Sequence, residues 1–310
     1  MNEIIGKSSA IKKIHNLIEK IAPTDSTVMI QGETGTGKEL VAKAIHNLSK
    51  RADKPFVTVN CGAIPENLIE SELFGHKKGS FTGAIDTKSG LFETTNEGTF
   101  FMDEISEMPA NLQVKLLRVL ENGEIRRIGE NEPRKVDVRI ISASNKDLWK
   151  LVESDKFRED LFFRLNVIQI YIPPLRERKE DIPALIRHLL EIYNTKYEKN
   201  IISISDDTLS ILLNYSYPGN VRELENILQH AIIFSENNTI SKNDLPVNIL
   251  SSRPLLKSAP EEQEILKLDD MEREFIKKTL FKSNNNQTES AKTLGISRST
   301  LWRKIKKYQL

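Results

Sequence analysis

Apolar residues in the first half of the chain fall into two alternating rhythms. Ile11, Ile14, Leu17, Ile18 and Ile21 recur at helical spacing behind Ser8 and Ser9, either of which suits an N-cap. The run 27–31 (TVMIQ) reads as a buried strand and 38–48 as a helix. Further β-rich runs stand at 56–60, 99–103, 138–143 and 167–172, with helical stretches between them. Strands separated by helices predict an α/β fold, a parallel sheet with helices on both faces.

Pro173-Pro174 ends that pattern, because paired prolines neither continue a central strand nor enter a helix interior. Beyond them the period is helical only, at 181–197, 206–215 and 221–234, which predicts a small all-α domain. Residues 251–262 mix Ser, Pro and charge without period and read as a linker. A last helical block starts near Leu268. The expected organisation is an α/β core over 1–172, a helical domain over 173–250, a linker over 251–266 and a terminal helical domain over 267–310.

Composition adds little to this except in its distribution. At 310 residues, 38% hydrophobic and 29% charged, the chain is an ordinary globular protein long enough for two or three domains. No apolar run approaches the roughly 18 residues that span a bilayer, and MNEIIGKSSA has no secretory character. With one cysteine, Cys61, no internal disulfide forms; these features favour the cytoplasm and no membrane partner. Net charge is +1, yet residues 268–310 hold ten Lys or Arg against five Asp or Glu, a net +5 that leaves −4 for the rest. A basic end on an acidic body points to nucleic acid for that end alone.

Two segments carry phosphate chemistry. Gly32-Glu33-Thr34-Gly35-Thr36-Gly37-Lys38-Glu39 follows the 27–31 strand and opens a helix. Glycines let backbone N–H groups wrap phosphates, the helix N-terminus adds positive dipole, and a lysine reaches the outer phosphates. Glu39 stands where a Ser or Thr magnesium ligand is usual. Thr99-Phe100-Phe101-Met102-Asp103-Glu104 is an apolar strand ending in two carboxylates. Asp103 suits holding Mg2+ through water, and Glu104 suits polarising an attacking water. The cofactors expected are therefore ATP and Mg2+.

At the other end, 287–294, Gly295-Ile296-Ser297 and 298–308 have the layout of a helix-turn-helix. Ala291, Leu294, Ile296, Leu301 and Ile305 supply an apolar seam, Gly295 the tight turn and Ser297 a cap. Arg298, Ser299, Thr300 and Arg303 then open the second helix, where base edges of double-stranded DNA are read. Lys304, Lys306 and Lys307 suit phosphate contacts.

With these motifs in view, the chain resembles the AAA+ ATPases of bacterial sigma-54-dependent transcriptional activators, over nearly its whole length. Gly79-Ser80-Phe81-Thr82-Gly83-Ala84 is close to that family's GAFTGA loop, with Ser80 in place of its first alanine. GETGTGKE, in which Glu39 is then normal, ELFG at 72–75, FREDLFFRLNV at 157–167, PPLRERKEDI at 173–182 and YPGNVREL at 217–224 also match. The terminal block resembles the Fis-type DNA-binding domain, which dimerises through its first helices, here including 268–281.

The resemblance implies roles by position. Arg158 and Arg164 look like arginine fingers reaching a neighbouring subunit, within a homo-oligomeric ring, hexamer or heptamer. Asn145 looks like sensor I, Arg222 like sensor II, and Asn60 like the switch residue that restrains Glu104. Loop 79–84 would touch sigma-54 at RNA polymerase, with Phe81 as an exposed tip between glycines. Related activators carry a sensory domain ahead of the ATPase, so an upstream sensory domain or a separate regulator protein is a further expected partner. The implied function is ATP-driven activation at enhancer sites, remodelling the closed promoter complex of sigma-54 polymerase into an open one. Blander readings stand beside these. Arg158 and Arg164 would also suit ion pairs with Glu159 and Asp160, and Asn60 and Asn145 would also satisfy loop backbone. A protein unfoldase would share the phosphate loop and lack the 79–84 loop and the basic end. A repressor with a residual ATPase fold would not need Lys38, Asp103 and Glu104.

Overall fold

A computed structural model describes residues 4–81, 84–251 and 286–308, together with 273, 276–277, 279–280 and 283. The chain forms two compact units, Met1–Pro254 and Leu255–Leu310. In the first, helix α1 (Ser9–Ile21) buries Ile11, Ile14, Ile18 and Ile21, and Ser8 is the cap that accepts the Ile11 amide at 3.2 Å. Ser9 is the first helical residue.

Strands β1 (Val28–Gln31), β2 (Phe56–Asn60), β3 (Thr99–Asp103), β4 (Arg139–Ser144) and β5 (Ile168–Tyr171) form one sheet in the order β2-β3-β4-β1-β5. All four pairings are parallel. β4 is buried throughout and β3 in all but its last residue, as befits strands covered on both faces. The expected strand ends move by one residue at most, Thr27, Val138, Val167 and Ile172 lying just outside. The register sets Asn60 beside Asp103 and Gln31 beside Ser144, so the functional carboxylates and the phosphate loop share the carboxyl edge of the sheet.

Helices α2 (Lys38–Asn47), α3 (Glu66–Phe74), α4 (Ala110–Asn122), α5 (Leu148–Glu153) and α6 (Glu159–Leu165) cover the sheet. Two short antiparallel ladders, 75–76 with 88–89 and 124–125 with 134–135, interrupt this plan and have no counterpart in the apolar rhythm. The helical part follows as α7 (Ile182–Tyr197), α8 (Asp206–Asn214) and α9 (Asn220–Phe234), around a core of Leu175, Ile186, Leu212, Tyr217, Leu224 and Leu228. Ile5, near the start of the chain, packs against this core although its sequence position assigned it to the α/β part.

In the second unit, α10 (Gln287–Thr293) and α11 (Arg298–Tyr308) cross a turn in which Gly295 adopts φ 67°. Ser297 Oγ accepts the Thr300 amide at 3.2 Å, the cap expected of it. Ile276, Leu280, Ala291 and Leu301 form the buried centre. Most of the helix expected at 268–281 and of the linker at 251–266 lies outside the described residues; those described from 273 to 280 are helical.

Phe100 ties the sheet to its covering layer: it is fully buried, sits between Val57 and Ile140, and meets Phe92 edge-on at 4.7 Å. Phe100→Ala should lower unfolding free energy by about 3–5 kcal/mol, read from the urea midpoint of the first unit. A loss under about 1 kcal/mol would show that this aromatic stack is not where the core is held.

Candidate nucleotide and partner sites

The phosphate loop begins where β1 ends, and Gly32 N–H donates to Ser144 O of β4 at 3.2 Å. Gly35 and Gly37 take φ of 78° and 101°, left-handed geometry that favours glycine. The first-turn amides of α2 have no intrahelical acceptors, which makes this terminus a phosphate cradle. Lys38 is buried, its Nζ donating to Gly32 O at 2.9 Å and Glu33 O at 3.2 Å. Burial lowers the Lys38 pKa, while attraction from Asp103 and Glu104 pulls it back up and Arg222 pushes it further down. These four side chains are therefore electrostatic neighbours across one cleft.

Asp103 and Glu104 follow β3. Asp103 Oδ1 accepts the Glu104 amide at 2.9 Å. Glu104 itself adopts φ 51°, ψ 45°, left-handed for a residue with a Cβ, at a cost of roughly 1–2 kcal/mol. Such outliers concentrate at functional sites. Glu104 Oε2 lies 2.8 Å from where a Cβ on Gly62 would stand, so Gly62 makes room for it. Asn60, at the end of β2, spends its side-chain oxygen on the Gly62 and Ala63 amides at 2.8 and 3.1 Å. It thus shapes the turn beside Glu104, the bland use expected of it, without a hydrogen bond to the carboxylate. Asn145 Nδ2 reaches the phosphate loop at Thr34 Oγ1, 3.2 Å away. Cys61 is buried next to these acids, and burial pushes its thiol up to about 12.

The helical part closes the loop from the other side. Val221 N–H donates to Gly35 O at 3.0 Å and Arg222 N–H to the same oxygen at 3.4 Å. Glu33 takes a bidentate pair from Arg176 at 2.8 and 2.5 Å and a bond from Asn220 Nδ2 at 3.1 Å. The Arg176 hydrogen bonds hold the Glu33 carboxyl below its ordinary pKa against opposing desolvation. Buried Arg178 donates to Thr36 O at 3.0 Å. An apolar cleft lined by Ile4, Ile5, Leu40, Val41, Ile172 and Val221 runs from Thr36 and Gly37 outward. Arg176, Arg178 and Asn220 were not singled out from sequence, since only the folded chain brings 176–220 to 33–36; the PPLRER and YPGNVREL segments were the available signal.

Arg158 caps α6 at the surface and pairs with Asp160 at 2.7 Å. Arg164 lies in the last turn of that helix, exposed, 3.6 Å from Glu121. Loop 79–84, in its described residues, follows the 75–76 strand of the ladder with 88–89. Its base is closed by Gly79 N–H to Ala84 O, 2.9 Å, and Gly79 takes φ 79°. Phe81 is 39% exposed, its ring edge-on to His76 at 5.0 Å. His76 packs against Phe81 and bonds Ser71 Oγ at 2.7 Å. Ser80 Oγ is buried without a hydrogen-bond partner. Thr82 and Gly83 lie outside the described residues.

On the second unit Arg298, Ser299, Arg303, Lys306 and Lys307 are exposed along α11, with Thr300 and Lys304 partly covered. Trp302 shares that basic helix, 53% exposed with Lys306 Nζ 5.4 Å from its ring centre.

The chain matches the Sigma-54 interaction domain over residues 4–171, the AAA+ ATPase lid domain over 176–262 and the Fis family of bacterial regulatory proteins over 267–308. It is 46% identical to the regulatory protein AtoC of Escherichia coli K12, covering 98% of this chain and 67% of AtoC. It is 49% identical to a signal-transduction and transcriptional-control protein of Clostridium beijerinckii, covering all of this chain and 49% of that protein. The nitrogen fixation protein AnfA of Azotobacter vinelandii is 45% identical over 99% of this chain and 57% of its own length. The chain thus spans about half to two thirds of these relatives. In structure it is similar to NtrX from Brucella abortus in complex with ADP, with a TM-score of 0.76 at 34% identity, over 100% of this chain and 70% of NtrX.

Gly35 tests the geometry of the cleft. A Cβ there would lie 2.3 Å from Gly219 O, and φ is left-handed as well. Gly35→Ala should push the start of α9 off the loop and weaken binding of a fluorescent ADP analogue at least about tenfold. Unchanged affinity in a folded variant would show that this contact does not set the nucleotide site.

Proposed function

The chain belongs to the bacterial sigma-54-dependent regulators, with an AAA+ P-loop NTPase segment and a Fis-type helix-turn-helix, and we propose that it hydrolyses ATP to remodel the closed complex of sigma-54 RNA polymerase at promoters. In this reading the amides of 32–38 and Lys38 bind the phosphates, and Arg222 reads them from the helical lid. Asp103 fits a hydrated Mg2+: it is a hard oxygen donor at a strand tip beside the buried Lys38, and among the described residues no cluster of three metal-ligating side chains competes with it. When bound, the ion would neutralise charge on the transferring phosphate. Glu104 accepts a proton from, and orients, the attacking water, while Asn60 shapes the turn beside it and Asn145 links the loop to the tip of β4.

Arg158 and Arg164 act in trans. Both are exposed, and their present partners, Asp160 and Glu121, are solvent-exposed carboxylates whose pairing is weak enough to give up. This supports a ring of identical subunits in which each site is completed by its neighbour. α11 binds double-stranded enhancer DNA, with Arg298, Ser299, Thr300 and Arg303 at bases and Lys304, Lys306 and Lys307 at phosphates. Such a protein works in the cytoplasm, alongside RNA polymerase; among the described residues no helix is long and apolar enough to cross a membrane.

The observation that carries the reading is Phe81: a half-exposed ring on a loop closed at its base, whose described residues share no hydrogen bond with the phosphate loop. It has nothing to offer hydrolysis and much to offer a partner. Phe81→Ala and Thr82→Ala should keep ATP turnover within a few-fold while losing sigma-54 binding in ADP with aluminium fluoride. An aromatic anchor is worth about 2 kcal/mol, or roughly 30-fold. Wild-type sigma-54 binding by Phe81→Ala and Thr82→Ala would place the contact elsewhere.

A further inference from the structure

Residues 4–8 cross the mouth of the cleft beside the phosphate loop as a strap. Ile4 packs on the α/β core and Ile5 on the helical core, and both line the cleft. What fixes the strap is one carboxylate. Asp181, fully buried, accepts the Lys7 amide at 2.6 Å and the Ser8 amide at 2.7 Å on Oδ1, and the Ser8 hydroxyl at 2.7 Å on Oδ2. Gly6 passes so close that a Cβ on it would stand 2.9 Å from that carboxyl. Ile4 O is held at its other end by His15 Nε2 at 3.2 Å.

Asp181 is also tied to the phosphate loop. Its backbone amide donates to Arg178 O at 2.9 Å, and Arg178 Nη2 donates to Thr36 O at 3.0 Å; burial lowers the Arg178 pKa, and the Asp181 charge only partly opposes this. The 178–181 turn thereby holds both the strap, through the Asp181 side chain, and the loop edge that the strap faces, through Arg178. A buried carboxylate with three donors has a single low-energy arrangement, so the apolar wall made by Ile4 and Ile5 inherits its position from Asp181.

We infer that Asp181 is a positioning residue for the nucleotide: it pins residues 4–8 as a wall against which the planar base of the bound nucleotide rests. The phosphates are bound by the loop whether or not the strap is in place, while the base needs the strap. This rests on the ATP-binding reading above and adds to it a residue that touches no nucleotide atom.

The test compares a ligand with a base to one without. Asp181→Asn keeps the shape and removes the charge: its NH2 faces the Ser8 hydroxyl, which turns from donor to acceptor, and the Lys7 and Ser8 amides lose their charge-assisted acceptor. It should weaken ADP about tenfold, raise KM for ATP by a similar factor with less change in kcat, and leave inorganic tripolyphosphate affinity within twofold of wild type. Ser8→Ala should shift ADP in the same direction by less, and add nothing in the Asp181→Asn background. Equal loss of ADP and tripolyphosphate, or no loss of either, overturns the inference. If Asp181→Asn does not fold, hydrogen exchange of the unaltered chain decides: the Lys7 and Ser8 amides should be slowed by ADP and not by tripolyphosphate, and equal protection by both counts against the strap. Failure of the unaltered chain to bind ADP at all would overturn the ATP reading itself, and the inference with it.

Discussion

A single backbone contact organises the catalytic half of the molecule: the carbonyl of Gly35 in the phosphate loop accepts the Val221 amide at 3.0 Å from the first turn of α9. The two segments come this close because Gly35 has no side chain: a Cβ there would stand 2.3 Å from Gly219 O. The rest of the cleft is built around it. Asn220 bridges Glu33 and Thr34 O, and Arg176 completes the bracket through Glu33. The loop that holds phosphates is thus also the surface on which the helical lid rests. A change in what the loop binds is a change in what the lid sits on, and this is how phosphate chemistry gains mechanical leverage.

The charges obey the same logic. Lys38 is buried and weakly supported by carbonyls, a state made tolerable by Asp103 and Glu104 across the cleft. Glu104 is held in left-handed backbone geometry and aimed past Gly62. Strain of that kind persists only where surroundings over-determine it, and here they are the sheet tip and the Asn60 turn.

Much of this was legible in sequence because it is local. Strands 99–103 and 56–60 announce themselves as continuous β-rich runs, and α1, α9 and α11 as apolar stripes at helical spacing. Lys38, Asp103 and Glu104 are legible because their chemistry demands a fixed place relative to a strand end. What was not legible depends on distant segments meeting. No local signal pairs Glu33 with Arg176 or brings Arg178 to Thr36. The two short ladders are too brief to carry a period of two. Ile5 reads as part of one core and packs on the other because Asp181, far along the chain, draws the strap across.

The central claim is that hydrolysis, and not nucleotide binding alone, is converted into work on promoter DNA. It is tested most directly by melting of a fully duplex promoter bound by sigma-54 polymerase, read as permanganate reactivity of thymines near the start site. The account predicts reactive thymines with ATP, and none with a non-hydrolysable analogue, with ADP, or with polymerase carrying a different sigma factor. Equal melting with the non-hydrolysable analogue would contradict it.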